Sequence, residues 1–410
     1  MRSISCSSLR MRRFASLVAA LVCVVVPGQA WATPDPALVS KLGRYMRFAG
    51  SQSGAYVVNL TDSETVFARR QGTARILASN TKLFTTATAL ARFGTEGTLG
   101  TEVVGGGALD ETGVWRGNLY LQGSGDPTFG SRTFTRRYYG TGATVEELAR
   151  LLDAAGIQRV SGRILGDGSG LLSYNGGNPL SAAAGLDAAL EGRGIRVRAA
   201  PGSGVVPTGA PVLASVDSPS MADLVRITNK PSNNFFAEML LRAVGREATG
   251  SGTTPDGARV AADFARELGA GARIADGSGL SRANRASPLR VVRLLTAMQA
   301  RDEFYAWYES LPIAGRDGTL SDRMRSGAAR GRCHAKTGTL SNVSTLSGYC
   351  EALSGDLYAF SILMNGVYPS GARQLQDRMA QAIAAVRDGA LTPPARRSVR
   401  DRRVIAWQQG

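Results

Sequence analysis

Apolar and polar positions alternate early in the chain. Residues 54–60 (GAYVVNL) and 65–69 (TVFAR) read as two strands around the turn Thr61-Asp62-Ser63. The stretch LASNTKLFTTATALARFG, residues 77–94, switches to helical spacing, with Leu83, Phe84, Ala87, Leu90 and Ala91 apolar on several faces, as in a buried helix. From about 98 to 215, short strands with Gly-rich turns (TEVVGGG, GNLYLQGSGDPTF, RVSGRILGDGSG) surround the helix VEELARLLDAAGI. Helical periodicity returns in SMADLVRITNK, SNNFFAEMLLRAVG, GARVAADFARELG and SPLRVVRLLTAM. Three strands follow in succession (GRCHAKTGTL, VSTLSGYCEAL, LYAFSILMNG), then a helix over 371–387. Two strands at the start, three at the end and helices between predict one sheet closed by both termini, with the strand-rich middle as an insertion. There is no repeat array; DGSGL occurs twice, at 167 and 276, as turn chemistry.

The first residues change the picture of where the chain resides. Arg2, Arg10, Arg12 and Arg13 precede an apolar run from Phe14 to Val26, and Ala30-Trp31-Ala32 forms a small-x-small cleavage site. This predicts a signal peptide over 1–32, with an uncleaved anchor as the alternative, and export to the periplasm or extracellular envelope. Removing its four arginines lowers the formal charge from +16 to +12. Peripheral contact with an anionic envelope fits that charge. Nucleic acid does not fit, because the arginines are scattered and the chain is exported. The tail 391–410, with PPARRSVRDRR, reads as basic and disordered.

Of the cysteines, only Cys333 and Cys350 follow the signal. If Leu340 faces Val343 across a two-residue Ser341-Asn342 turn, those two cysteines fall opposite each other and predict a disulfide. Alternation then puts Cys333 on the strand face opposite Lys336.

Candidate chemistry narrows by elimination. His334 is the only histidine, no G-x-S-x-G elbow occurs, and no H-E-x-x-H or Cys/His cluster suggests a metal. LQGSGDPTFG lacks dinucleotide-loop spacing and reads as a turn. His334 reads as a strand residue beside a motif. Lysine is scarce: Lys41, Lys82, Lys230 and Lys336 stand against 44 arginines among 48 basic residues. A lysine can surrender its proton where its surroundings disfavour charge, whereas a guanidinium cannot. Ser79 and Lys82, at i and i+3 near a helix start, share one face, so the amine can take the hydroxyl proton; the bland alternative is a Ser cap with a solvated lysine. Ser232-Asn233-Asn234 opens a helix after Lys230-Pro231. Lys336-Thr337-Gly338 lies on a late strand, where Gly admits a substrate backbone and Lys offers a point charge to a carboxylate. Ser-x-x-Lys, Ser-x-Asn and Lys-Thr-Gly in this order form one serine-acylation pattern.

With these motifs the sequence resembles the D-Ala-D-Ala carboxypeptidase/endopeptidase family of penicillin-binding proteins, the low-molecular-mass class C type. The likeness also runs through GSGDP (123–127), 218–240, DGSGLSRANRASP (276–288), LPIAGRDGTL (311–320) and 336–349, within residues 33–388. It implies an α/β (α+β) serine β-lactamase/DD-peptidase-like fold, an antiparallel sheet flanked by helices. The peptidase domain would comprise 33–97 and 216–390. Residues 98–215 would be an inserted domain, shortened relative to the family where only GSGLLSYNGGNPLSA follows Asp167. The resemblance further implies Ser79 as nucleophile, Lys82 as base, Ser232 as proton relay and Asn234 as positioner. Lys336 and Thr337 would hold the substrate carboxylate. Backbone N–H groups of Ser79 and Thr339 would form the oxyanion hole, Gly338 would bind substrate by admitting its backbone, and Leu280 and Arg282 would border the stem-peptide side chain. The implied partners are peptidoglycan stem peptides ending in D-Ala-D-Ala and β-lactams as covalent inhibitors, without a cofactor. A β-lactamase or esterase on the same scaffold and a non-catalytic wall-binding protein are the rival readings.

Overall fold

A computed structural model describes residues 35–387. The expected signal peptide and basic tail lie outside the described residues. No helix among the described residues is long and apolar enough to cross a membrane.

The chain begins with helix α1 (Pro36–Arg47), whose first turn is capped by the Asp35 carboxylate accepting from the Ala37 N–H. Strands β1 (Gly54–Asn59) and β2 (Glu64–Arg69) form a hairpin, and β3 (Arg75–Ile76) leads through a 3-10 turn at Ala78–Asn80 into α2 (Thr81–Phe93). The long hairpin β4 (Gly100–Leu109) and β5 (Val114–Gly123) follows. Next come α3 (Arg132–Tyr138), α4 (Val145–Ala154), β6 (Arg159–Val160), β7 (Ile164–Asp167), α5 (Pro179–Glu191), β8 (Arg196–Val197), β9 (Gly202–Gly204) and β10 (Val212–Asp217). A helical stretch comprises α6 (Met221–Asn229), α7 (Asn234–Thr249) and α8 (Thr254–Glu267), then β11 (Arg285–Ala286), α9 (Pro288–Gln299) and α10 (Phe304–Ser310). Last are β12 (Cys333–Leu340), β13 (Val343–Glu351), β14 (Leu357–Asn365) and α11 (Pro369–Ala384).

The strands from the two ends of the chain form one antiparallel sheet in the order β12-β13-β14-β1-β2. Helices cover both faces. On one, Leu83, Phe84, Leu240, Leu295 and Trp307 pack against Tyr349, Ala359 and Leu363 of the sheet. On the other, Leu42, Met46, Met379 and Ile383 of α1 and α11 pack against Val57, Cys350, Phe360 and Ile362. With both faces covered, β14 is buried at every position, so its sequence is apolar except for Ser361 and Asn365 rather than alternating. Strand β12 is covered on its faces but is the sheet's edge; its first outer backbone groups bond the 312–314 segment, and the edge beyond Ala335 is open to a partner.

Residues 100–217 build a second sheet, β10-β4-β5-β6-β8 with β7 beside β5 and β9 beside β7. It has its own core of Trp115, Leu119, Leu148, Leu152, Ile164 and Leu186. This sheet reaches the helical layer through its GSGDP turn: a Cβ on Gly125 would press on Ala243 and on the Met239 carbonyl of α7. The sequence reading missed α1, α3 and α10. The last two are seven residues long, too short for two turns of periodicity to show.

The hairpin register matches the expectation. Leu340 faces Val343 and Cys333 faces Cys350, and the two cysteines are joined by a disulfide. Both are fully buried on the α11 side, where Cys333 Sγ lies 3.9 Å from the Ala380 carbonyl. Their separation of 17 residues makes the bond worth about 3 kcal/mol by the chain-entropy estimate. We predict that thiol reduction lowers the unfolding free energy by about that amount in denaturant titrations. A chain freed of residues 1–32, and so of Cys6 and Cys23, should show no titratable thiol when denatured without reductant; two thiols per chain would contradict the bond.

Candidate active site

The residues of the three motifs converge where α2, α7 and β12 meet. Ser79 lies in the 3-10 turn that starts α2, and Lys82 in the first turn of the helix. Lys82 is fully buried; its Nζ lies 3.2 Å from Ser79 Oγ, 2.7 Å from Asn234 Oδ1 and 2.6 Å from the Ser278 carbonyl. None of these partners is an anion. Burial is the main cause that lowers the Lys82 pKa to about 8, against the more distant opposing charges of Glu238 and Asp276. The amine is thus held between hydroxyl and carbonyl oxygens at a pKa from which it can accept a proton.

Ser232 sits just before α7 with φ +61°, a left-handed conformation that costs a serine about 1 kcal/mol or more. The adjoining Asn233 caps α7 by accepting from the Phe236 N–H, so the turn is over-determined by the helix it starts. Ser232 Oγ accepts a 2.8 Å hydrogen bond from Lys336 Nζ, which also donates to the Thr337 carbonyl at 3.0 Å. Lys336 has no exposed surface, and burial, followed by the like charge of Lys82, holds its pKa well below the usual lysine value. The sequence reading made Lys336 a fixed cation. The geometry instead turns it inward, onto Ser232.

Close backbone approaches fix the nucleophile turn. A side chain at Gly338 would strike Thr345 Oγ1 and come within 2.9 Å of the Leu77 carbonyl and the Ser79 nitrogen. Gly279, at φ +88°, lies so close that a Cβ would collide with the Ala78 carbonyl. Asn80 ties the turn to the sheet, donating to the Lys336 carbonyl at 2.7 Å and accepting from Ser347 Oγ. On β12 the Ala335 N–H is bonded outward to the Pro312 carbonyl, so the N–H groups of Thr337 and Thr339 point to the same open edge. The Ser79 N–H lies at a helix start, where backbone N–H groups lack intrahelical partners.

The loop 276–284 closes one side. Asp276 accepts from the N–H groups of Gly279 and Ser281 and from Asn284 Nδ2. Glu238, one turn beyond Asn234, accepts from the Gly277 and Ser278 N–H groups. These partners hold the Ser278 carbonyl on Lys82, and the sequence reading missed both carboxylates; the only signal was their place inside motif-like stretches. Leu280 stands 60% exposed at the loop's tip. Arg282 donates to Asn342 Oδ1 and Ser341 Oγ of the β12–β13 turn, so its guanidinium ties loop to hairpin. Thr337 Oγ1 pairs with Thr319 Oγ1 at 2.7 Å. His334 is buried, stacked on Tyr308 with ring centroids 4.0 Å apart, and burial drops its pKa to about 4. It is a neutral packing residue.

The family model described as D-Ala-D-Ala carboxypeptidase 3 (S13) matches residues 38–178 and 177–386. The chain belongs to this family of serine peptidases. A D-alanyl-D-alanine carboxypeptidase from an Actinomadura species is 30% identical over 82% of this chain and 81% of its own length. A carboxypeptidase from Mycobacterium tuberculosis is 26% identical over 82% and 80%. Penicillin binding protein 4 of Haemophilus influenzae shares the fold, with TM-score 0.69 at 19% identity over 82% of this chain and 97% of that one. A predatory peptidoglycan endopeptidase of Bdellovibrio bacteriovorus does so at TM-score 0.56 and 16% identity, over 80% and 92%.

A lysine that works as a neutral base predicts a pH limb for this carboxypeptidase. Below about pH 8 Lys82 is increasingly protonated and cannot accept the Ser79 proton, so acylation by a penicillin should slow about tenfold per unit well below that point. Stopped-flow acylation between pH 6 and 9.5 tests this. A flat profile would contradict a titrating base.

Proposed function

We propose that the chain hydrolyses the terminal D-Ala–D-Ala bond of peptidoglycan stem peptides through an acyl-enzyme on Ser79. The observation that carries this reading is the buried, charge-unpaired Lys82 amine, 3.2 Å from Ser79 Oγ. In the first step Lys82 takes the Ser79 proton as Oγ bonds to the carbonyl carbon of the penultimate D-Ala. The developing oxyanion lies between the Ser79 and Thr339 N–H groups. Collapse breaks the C–N bond, and Ser232, held by Lys336 at 2.8 Å, relays to the departing amine the proton that Lys82 took from Ser79, so that both groups end as they began. Asn234 fixes Lys82 with its carbonyl oxygen and leaves its amide nitrogen for the substrate. Water then hydrolyses the ester on Ser79. A β-lactam presents an acyl carbon to the same serine and is expected to remain on it.

The open edge of β12 supports a peptide substrate, because an extended backbone can add there as a further strand. The β-lactamase reading is less well supported. Rapid deacylation needs a group to activate water, and the nearby carboxylates, Glu238 and Asp276, hold backbone N–H groups of their own loop. A non-catalytic wall-binding protein would have no use for two buried lysines. The substrate lies outside the cytoplasmic membrane, so the reading includes export through residues 1–32, in keeping with the buried disulfide. Leu280 and Arg282 border the acyl side of the site, where the stem-peptide side chain would run.

Fluorescent penicillin should label the native protein at Ser79, and Ser79→Ala should abolish labelling with unchanged thermal stability. Lys82→Arg should be nearly inactive despite keeping the charge, because guanidinium does not accept a proton at working pH. Mass analysis of pentapeptide muropeptides after incubation should show loss of one alanine. Unaltered pentapeptides with the native protein would refute the proposed activity.

A further inference from the structure

The proposed reaction, on which this inference rests, ends in a residue with a free carboxylate. That carboxylate lies beyond the scissile bond, beside β12 within reach of the hydroxyls of Thr337 and Thr339. Lys336 is badly placed to receive it. Its ammonium is fully buried, donates to Ser232 Oγ and the Thr337 carbonyl, and points to the α2 face of the sheet. The side chains of Thr337 and Thr339, by alternation, point to the other face.

A different cation stands on that side. Arg373, in the second turn of α11, donates Nη2 to Thr339 Oγ1 at 3.2 Å, and its side chain is exposed. Among the described residues it takes part in no ion pair. Its nearest acid on the same helix face, Asp377, is engaged by Arg323 at 2.7 and 2.9 Å. Many other surface arginines have a carboxylate, among them Arg92, Arg116, Arg150 and Arg193. Along the edge there is thus a row of hydroxyls, Thr319, Thr337 and Thr339, ending in a guanidinium without an anion. That is the donor arrangement a carboxylate needs: hydroxyl hydrogen bonds on one side and a forked cation on the other.

We infer that Arg373 is a specificity-determining residue that binds the carboxylate of the substrate's leaving residue, together with the hydroxyls of Thr337 and Thr339. Guanidinium suits this place because it keeps its charge under conditions in which Lys82 has to lose one. The same contact would receive the carboxylate of a penicillin.

The test compares acylation by benzylpenicillin with acylation by its methyl ester, which lacks the anion, in the native protein, Arg373→Gln and Arg373→Lys. The native protein should prefer the free acid. Arg373→Gln should lose about tenfold in acylation rate constant with the acid and little with the ester, from the loss of one charge-assisted contact. Arg373→Lys should recover part of the preference. With a D-Ala-D-Ala peptide, Arg373→Gln should raise KM and leave kcat nearly unchanged. An acid-to-ester ratio in Arg373→Gln equal to that of the native protein, with Ser79 still labelled, would overturn this inference and leave the proposed function standing. Failure of the native protein to acylate with either compound would overturn both.

Discussion

The site is organised around the cost of burying two lysines without an anion in contact with either. A bare ammonium in a dry interior loses far more hydration energy than neutral hydrogen bonds return, so burial makes the proton easier to give up. Burial first, and then the like charge of Lys82, lowers Lys336 further. The carboxylates that offset this, Glu238 and Asp276, act on Lys82 through space and keep their oxygens on loop N–H groups. Moving either into direct contact with Lys82 would restore the ammonium and remove the base. Their distance is thus part of the chemistry.

Holding such an amine in place is a problem of packing, because no ion pair does it. The solution is three segments brought together from far apart in the chain. Asn234 from α7, the Ser278 carbonyl from the loop 276–284 and Ser79 from α2 surround one nitrogen. Each is fixed by backbone that cannot shift without collision. Gly338 and Gly279 let strand and loop touch the 77–79 turn, and Asn80 bonds that turn to β12. Stability for these contacts comes from the cores on both faces of the sheet, and the disulfide braces β12 and β13 from the side away from the lysines.

The sequence carried most of this where period or covalent logic applied. Alternation and turn chemistry placed β1, β2 and the three closing strands, and hairpin parity paired Cys333 with Cys350. Scarcity singled out Lys82 and Lys336, since a rare residue type in a fixed motif is informative without any structure. What the sequence withheld depends on long-range convergence. Nothing local marks Glu238 or Asp276 as the holders of the Ser278 carbonyl, because each contact spans the loop or joins α7 to it. The left-handed serine at 232 is likewise invisible, since its strain is sustained by the cap of α7. Arg282 shows the opposite case. A motif brought it to attention, but its hydrogen bonds go to the Ser341-Asn342 turn, which only the tertiary fold sets beside it.

The uneven use of the two basic residues then has a physical reading. Arginine serves wherever a charge must persist: on the surface, in the ion pair with Asp377, and at the Thr339 end of the strand edge. Of the four lysines, Lys82 and Lys336 stand where protonation has to be negotiable, while Lys41 is exposed. Lys230 marks the boundary between the two uses. It lies near the same region but forms a 2.7 Å ion pair with Asp317, and an anion in contact stabilises the ammonium. Lys82 and Lys336, without such a partner, are driven the other way. Contact with a carboxylate, more than the residue type or its nearness to the motif, separates a structural lysine from one fit to move a proton.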